Sequence, residues 1–405
     1  MIFDRIKNNL IKLQDLNFLL IVYVGLTIIA TAHLLLEHNY IIAGREYVHY
    51  NNYILFKQSF IHLITNNNLY DVVTNRFNHV DYQYWDYKYS PTFAVYMIFF
   101  AYLPNWLGLI LFNLLNTFVL FYGIKMLPGI SNKIKAFIIW FILLDNVTSI
   151  QNSQTNALIA GLLLFSFIFM EQRKVFIATL CIVLSIYIKP FGILGFLLFL
   201  FYPGKIKFIL YSALWTITLF AIPLIFVSFR QFIYLYKSWI HILQFDHDTN
   251  YGLSVMGWLY VWFKLNIQKN LVLAAGALIF LIPFIKYKMY KSYYFRLLIV
   301  CSILIWVIIF NHKAESSTFI IADCGMAIWY FSKPRKIGDT ILIISAFILT
   351  ILSPTSLFPD YLKTNLVIPY VLKVVPCIFI WVKINYELLS FKESDDIGVH
   401  TMTNS

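Results

Sequence analysis

The chain has 405 residues, of which 60% are hydrophobic and only 12% charged, with a mean hydropathy of +0.73. Soluble domains carry about 25% charged residues, so composition excludes a string of soluble domains and points to a chain whose solvent is a bilayer. The net charge of +12 comes from small basic groups between apolar runs, which fits the positive-inside bias of cytoplasmic loops and argues against a nucleic-acid partner.

Arg5, Lys7 and Lys12 precede an apolar run from Leu16 to Leu36. Ala30-Thr31-Ala32 has the shape of a signal-peptidase site, but the run is long enough to span. It reads as an uncleaved first helix with its N-terminus in the cytoplasm. The longest polar stretch follows, Glu37 to Lys88, and should form a large first extracytoplasmic loop. Within it Ile54, Phe56, Phe60, Ile61 and Leu63 recur at helical spacing, predicting an amphipathic helix on the outer membrane face. From Pro91 onward apolar segments cover 91–103, 106–124, 135–149, 155–170, 174–202, 206–228, 271–286, 295–311, 316–332, 340–353 and 365–384. A second polar stretch runs from Arg230 to Asn250. The expected fold is all-α and polytopic, with about twelve transmembrane helices by the usual length rule. Residues 1–390 form one membrane domain and 391–405 a short cytoplasmic polar tail.

The basic groups Lys205/Lys207, Lys286/Lys288/Lys291/Arg296 and Lys333/Arg335/Lys336 should face the cytoplasm. If both 91–103 and 106–124 cross, Lys125, Lys133 and Lys135 fall outside, against the rule. Either one of those segments is re-entrant, or 174–202 is a single span interrupted at Lys189-Pro190. Cys181, Cys301, Cys324 and Cys377 lie inside apolar runs and read as packing residues. The sequence shows no internal repeat, phosphate loop, H-E-x-x-H or G-x-S-x-G.

Ionisable groups at the outer ends of helices are the default site candidates. The first loop supplies Arg45, Glu46, Lys57, Asp71, Asp81, Asp86 and Lys88. Further along stand Asp145, Lys189, Asp246, His247, Asp248, His312, Lys313, Glu315 and Asp323, the last reading best as a buried helix–helix hydrogen-bonding group.

A long early loop followed by a compact bundle is the layout of GT-C glycosyltransferases. Asn52-Tyr53-Ile54-Leu55-Phe56 through Ser59 to Leu69-Tyr70-Asp71 resembles the D-F-x-x-Y…x-Y-D opening of glycosyltransferase family 87, the polyprenyl-phosphate-mannose-dependent mannosyltransferases. Tyr89-Ser90-Pro91 is similar to that family's aromatic-x-Pro entry to the second helix. Ser153-Gln154-Thr155-Asn156-Ala157-Leu158 resembles its G-Q-x-N-x-L element, with Ser for Gly. Lys189-Pro190 resembles its Lys-Pro, and Asn250 to Gly257, with Ser254, its N-x-S-x-x-G region. The resemblance extends over residues 16–332.

It implies an enzyme of the inner (plasma) membrane, with its active site outside the cytoplasm. The enzyme would transfer a hexosyl unit, mannosyl by the family, from a polyprenyl-phosphate donor to a glycan or lipid acceptor. A sugar on a lipid phosphate already has a good leaving group, so no cofactor is expected; the need for a divalent ion is left open. The protein must deprotonate an acceptor hydroxyl, stabilise the departing phosphate and exclude water. The family's acidic position is Asn52 here, and an amide cannot take a proton as a carboxylate does. Asp86 and Glu46 are therefore the expected bases, with Asn52 orienting the acceptor. Arg45, Lys88 and Lys189 are the expected phosphate cations, although Lys189 also reads as a lysine snorkelling to the interface. Tyr70, Gln154, Asn156 and Ser254 carry over as substrate-binding positions; no metal ligands are assigned. The alternatives are a transporter or flippase of lipid-linked sugars, which should show repeats and charged midplane sites, and an O-antigen polymerase or ligase, which usually places its large loop late.

Overall fold

The structure is a computed structural model that describes residues 13–42, 45–70, 76–77, 80–81, 87–245 and 251–395; at 42, 45–46, 76–77, 80–81 and 245 it describes the backbone alone. Helix α1, Leu16–Leu36, starts where the Asp15 carboxylate accepts the Asn17 N–H at 2.9 Å, the usual satisfaction of an orphan donor at a helix start. Two short antiparallel ribbons, β1 (Tyr40–Ile42) with β2 (Arg45–Tyr47) and β3 (Arg76–Phe77) with β4 (Val80–Asp81), flank α2, Asn51–Ile64. Two short helices follow, α3 (Pro91–Tyr96) and α4 (Ile98–Ala101). Then come α5 (Asn105–Lys125), α6 (Asn132–Gln151), α7 (Asn156–Glu171), α8 (Val175–Ile188) and a 3-10 segment, Pro190–Leu200. The remainder is α9 (Lys205–Ala221), α10 (Phe229–Phe245), α11 (Val255–Phe263), α12 (Lys269–Leu281), α13 (Tyr293–Ile309), α14 (Ile320–Phe331), α15 (Ile337–Ala346) and α16 (Val375–Ser390).

Among the described residues, four helical stretches are long and apolar enough to cross a membrane: Leu16–Leu36, Asn105–Lys125, Asn132–Gln151 and Lys205–Ile225. Large apolar side chains point out of the bundle, Ile21 at 70% exposure, Ile206 at 74% and Leu278 at 67% among them. Such a surface suits lipid and not water. The four cysteines are buried and unbridged.

The two ends of the bundle differ chemically. At one end Arg296 makes a bidentate pair with Glu171, at 2.7 and 2.8 Å, and the Tyr202 hydroxyl donates to the same carboxylate. Arg335 holds Glu387 at 2.8 and 2.9 Å, and Lys383 stands 3.5 Å from Asp339. The other end gathers polar turns: 151–156, Lys189 and 311–318, covered by α2.

This arrangement resolves the conflict over Lys125. The segment 91–103 enters and leaves by the polar end, since Ser90 Oγ donates to Tyr187 O at 2.5 Å and Lys57 Nζ to Leu103 O at 2.6 Å. The short pair α3–α4 is therefore a hairpin that returns to the end of the bundle from which it starts, the geometry of a re-entrant segment. Helix α5 then runs from the polar end to the basic end, where the hydroxyl of Tyr293 reaches Pro128 O and Phe137 stacks on Phe331 with centroids 5.8 Å apart. Lys125, Lys133 and Lys135 thus join the other basic loops. The run 174–202 folds back at Lys189, so that Tyr202 returns to Glu171 beside the start of α8.

One expectation needs correction. Helix α2 does not lie on the surface with one polar face outward: Asn51, Gln58, Ser59 and His62 are buried along with Tyr53, Phe56 and Phe60. The α3–α4 hairpin and α5 cover it, Phe56 packing edge-on against Tyr89 and Phe93. Desolvation accordingly lowers the basicity of both His62 and Lys57.

Candidate active site

The site begins with how two helices end. Helix α6 closes in a Schellman turn: the Ser153 N–H donates to Ile150 O at 2.8 Å and the Gln154 N–H to Ser149 O at 3.3 Å. Ser153 itself is left-handed, with φ +48°, the conformation such a turn demands of its first residue beyond the cap. The turn presents Gln154 and Asn156 toward α8. That helix ends at Lys189 because Pro190 has no N–H to donate and disfavours helix in the residue before it. Lys189 is extended, φ −142° and ψ 144°.

The extended backbone turns the ammonium inward. Lys189 Nζ donates to Asn156 Oδ1 at 2.9 Å and, more weakly, to Gln154 Oε1 at 3.4 Å. It lies 5.6 Å from the ring centroid of Tyr89 and 5.8 Å from that of Phe191, within the range of cation–π attraction. Asn156 is fully buried, and its Nδ2 donates to Ser317 O at 2.9 Å. The Tyr89 hydroxyl donates to Gln154 Oε1 at 3.2 Å. Lys189 is therefore ligated by neutral amide oxygens and ring faces, and among the described residues no carboxylate oxygen pairs with it. The ammonium thus points into this polar cluster. The exposed Glu315 is the described carboxylate whose charge bears on both Lys189 and Tyr89.

An aromatic wall closes one side. Tyr70 donates its hydroxyl to Tyr89 O at 2.9 Å, and Tyr87 lies between the two rings at 5.7 and 5.8 Å. Burial pushes the phenols of Tyr70, Tyr87 and Tyr89 up from their ordinary range, so each stays a neutral donor. Asn52, in the first turn of α2, donates Nδ2 to Asn152 O at 2.9 Å and so ties α2 to the 151–156 turn.

The fold thus brings together Asn52, Tyr70, Gln154, Asn156 and Lys189. The Lys88 carbonyl accepts a hydrogen bond from Trp239 Nε1 at 3.1 Å. The Ser254 hydroxyl is engaged as the cap of α11, donating to Tyr251 O at 2.6 Å and accepting from the Gly257 N–H at 3.3 Å; no contact joins it to Lys189. Asp86, Asp71, Asp246, His247 and Asp248 lie outside the described residues, as do the side chains of Arg45 and Glu46. Tyr89 escaped assignment as a site residue although it stands in the aromatic-x-Pro motif. Among the described residues no three of His, Cys, Asp and Glu converge closely enough to hold a metal ion.

A second polar cluster lies deeper. Asp145 of α6 and Asp323 of α14 are both fully buried and receive no hydrogen bond from other described groups. Each acts on the other, and the nearby cation is Lys373, which donates to Ser316 O at 3.2 Å. Asp323 is buried as expected, but the helix–helix hydrogen bond expected of it is not made among the described residues, whereas Lys373 went unnoticed as one of two lysines inside the 365–384 run.

In a comparison with curated proteins nothing matches the chain. The family model described as glycosyltransferase family 87 matches residues 87–309, a stretch that holds Tyr89, the Schellman turn with Gln154 and Asn156, Lys189 and Ser254. That match covers more than half of the 405 residues, and the chain belongs to glycosyltransferase family 87.

Proposed function

We propose that this membrane glycosyltransferase takes a hexosyl unit, mannosyl by its family, from a polyprenyl phosphate and places it on a hydroxyl of a glycan or lipid acceptor outside the cytoplasm. The observation that carries this reading is Lys189, a half-buried cation without a carboxylate partner among the described residues. It can take up a phosphate by exchanging amide contacts, without first breaking an ion pair. Its position at the end of the bundle away from the basic loops supports an extracytoplasmic site by the positive-inside rule, and the apolar outer surface suits a donor with a polyprenyl tail. About twelve crossings, counted as the helices and paired shorter segments between the two ends, would give both termini a cytoplasmic location.

In this reading Lys189 stabilises the departing phosphate, with Arg45 and Lys88 as further cations of the loop. Gln154, Asn156 and Tyr89 hold the ammonium, and Tyr70 braces Tyr89. Asn52 orients the acceptor, and a carboxylate takes its proton. Glu315 joins Asp86 and Glu46 as a candidate base because its charge already reaches Lys189.

The test is transfer by the purified full-length chain from labelled polyprenyl-phosphate hexoses, with donor affinity measured for wild type and Lys189→Gln at equal ionic strength. Loss of a charge-assisted hydrogen bond should cost about 1.5–3 kcal/mol, or about ten- to a hundredfold in dissociation constant. An unchanged constant would remove Lys189 from the donor site.

A further inference from the structure

A cavity of about 500 Å³ opens beside the candidate site, between the last turns of α6 and the connection that follows α15. Asn152, whose carbonyl holds Asn52, belongs to its wall, so cavity and site share a boundary. Thr148 and Gln151 line it from α6, and Ser356, Lys363 and Lys373 line it from the other side. The two lysines lie beyond the stretch that matches the family.

The chemistry of this lining is one-sided. Lys363 Nζ donates to Pro354 O at 3.2 Å and Lys373 Nζ to Ser316 O at 3.2 Å. An ammonium has three donors, so each retains capacity for a ligand. Lys373 is only 3% exposed, and Asp145 and Asp323 are the carboxyl groups that act on it electrostatically. Among the described residues no carboxylate lines the cavity itself, while hydroxyl and amide groups do. Apolar side chains of α6 complete the wall. Two cations, several neutral hydrogen-bonding groups and an apolar side make a seat for a phosphate attached to a larger body. The volume exceeds what a bare phosphate needs and accommodates an adjoining sugar or the first unit of a lipid.

We propose that this cavity is a phosphate-binding subsite of the enzyme, separate from Lys189, which holds a substrate through Lys363 and Lys373. Resting on the glycosyl-transfer reading, the ligand is either a phosphorylated acceptor or the lipid phosphate of a prenyl chain. The shared chemistry is the phosphate, and two probes separate the sources: a hexose 6-phosphate and farnesyl phosphate.

Binding of each probe to the full-length chain in detergent micelles should be measured calorimetrically for wild type, Lys363→Gln, Lys363→Arg and Lys189→Gln. Lys363 is the better target because it is half-buried and makes one described bond, whereas Lys373 interacts electrostatically with buried carboxyls. Lys363→Gln should weaken at least one probe by about ten- to a hundredfold, and Lys363→Arg, which keeps the charge, should retain most of the affinity. A loss confined to the hexose phosphate identifies a phosphorylated acceptor; a loss confined to farnesyl phosphate identifies a lipid phosphate; an equal loss means that the phosphate alone is read. Saturable binding unaffected by Lys363→Gln, or no saturable binding of either probe, overturns the subsite. Sensitivity to Lys189→Gln alone would do the same while leaving the proposed donor site standing. Absence of transfer from every polyprenyl-phosphate sugar would defeat the glycosyl-transfer reading without touching the binding result.

Discussion

Ser153 occupies the one position of the 151–156 turn where a side chain is a liability. Its φ of +48° is left-handed, which costs an L-residue about 1–2 kcal/mol relative to a right-handed conformation. Its side chain is fully buried, and Oγ finds no partner among the described residues; an unpaired buried hydroxyl costs about 1–3 kcal/mol. Ser153→Gly removes both penalties. Against this stand the greater chain entropy of glycine when unfolded, about 0.5–1 kcal/mol, and a void somewhat larger than a methyl group, about 1 kcal/mol or slightly more. At the middle of these ranges the variant is more stable by about 1.5–2 kcal/mol, a rise of about ten- to thirtyfold in the ratio of folded to unfolded chain. Equilibrium unfolding in mixed micelles, followed by tryptophan fluorescence, would measure it, with donor affinity as a control because Gln154 and Asn156 keep their places. A glycine variant less stable than wild type would refute the reasoning, since it would mean that the hydroxyl has a partner worth more than the strain.

Three further outcomes follow from the geometry. Gly161→Ala should lower stability by about 1–3 kcal/mol, the usual cost of overpacking, because a Cβ there would stand 2.5 Å from the Val119 carbonyl oxygen; a neutral result in the same unfolding assay would mean that α5 and α7 separate freely. Asn156→Asp would set a carboxylate against Lys189 and remove the donor to Ser317 O, so donor affinity should fall about tenfold or more, whereas unchanged affinity would separate Lys189 from the phosphate. A cysteine at the exposed Asn67 should react with a membrane-impermeant thiol reagent in intact cells, with any outer membrane permeabilised; labelling only after lysis would reverse the proposed orientation.

Much of the site was legible because its elements are local. A lysine before a proline must leave the helix, and Lys189 does. The Gly of G-Q-x-N-x-L corresponds to the left-handed position of a Schellman turn, which explains why that turn directs Gln154 and Asn156 sideways. The loop carboxylates are another matter: nothing in Glu46, Asp86 or Glu315 as residue types says which one approaches a cation that lies far away along the chain.

The amino-acid sequence by itself determined that the chain is helical, that lipid surrounds it, and where basic loops divide one end of the bundle from the other, since hydropathy and charge are properties of short segments. Only tertiary structure decided that 91–103 turns back by the end it enters, that α2 is covered on both faces, and that Asn52 meets Asn152. It alone seated Lys373 beside Asp145 and Asp323 and opened a cavity next to it. A segment of a dozen apolar residues has the same hydropathy whether it crosses or turns back. A buried charge, likewise, declares its partner only when helices distant in sequence pack together.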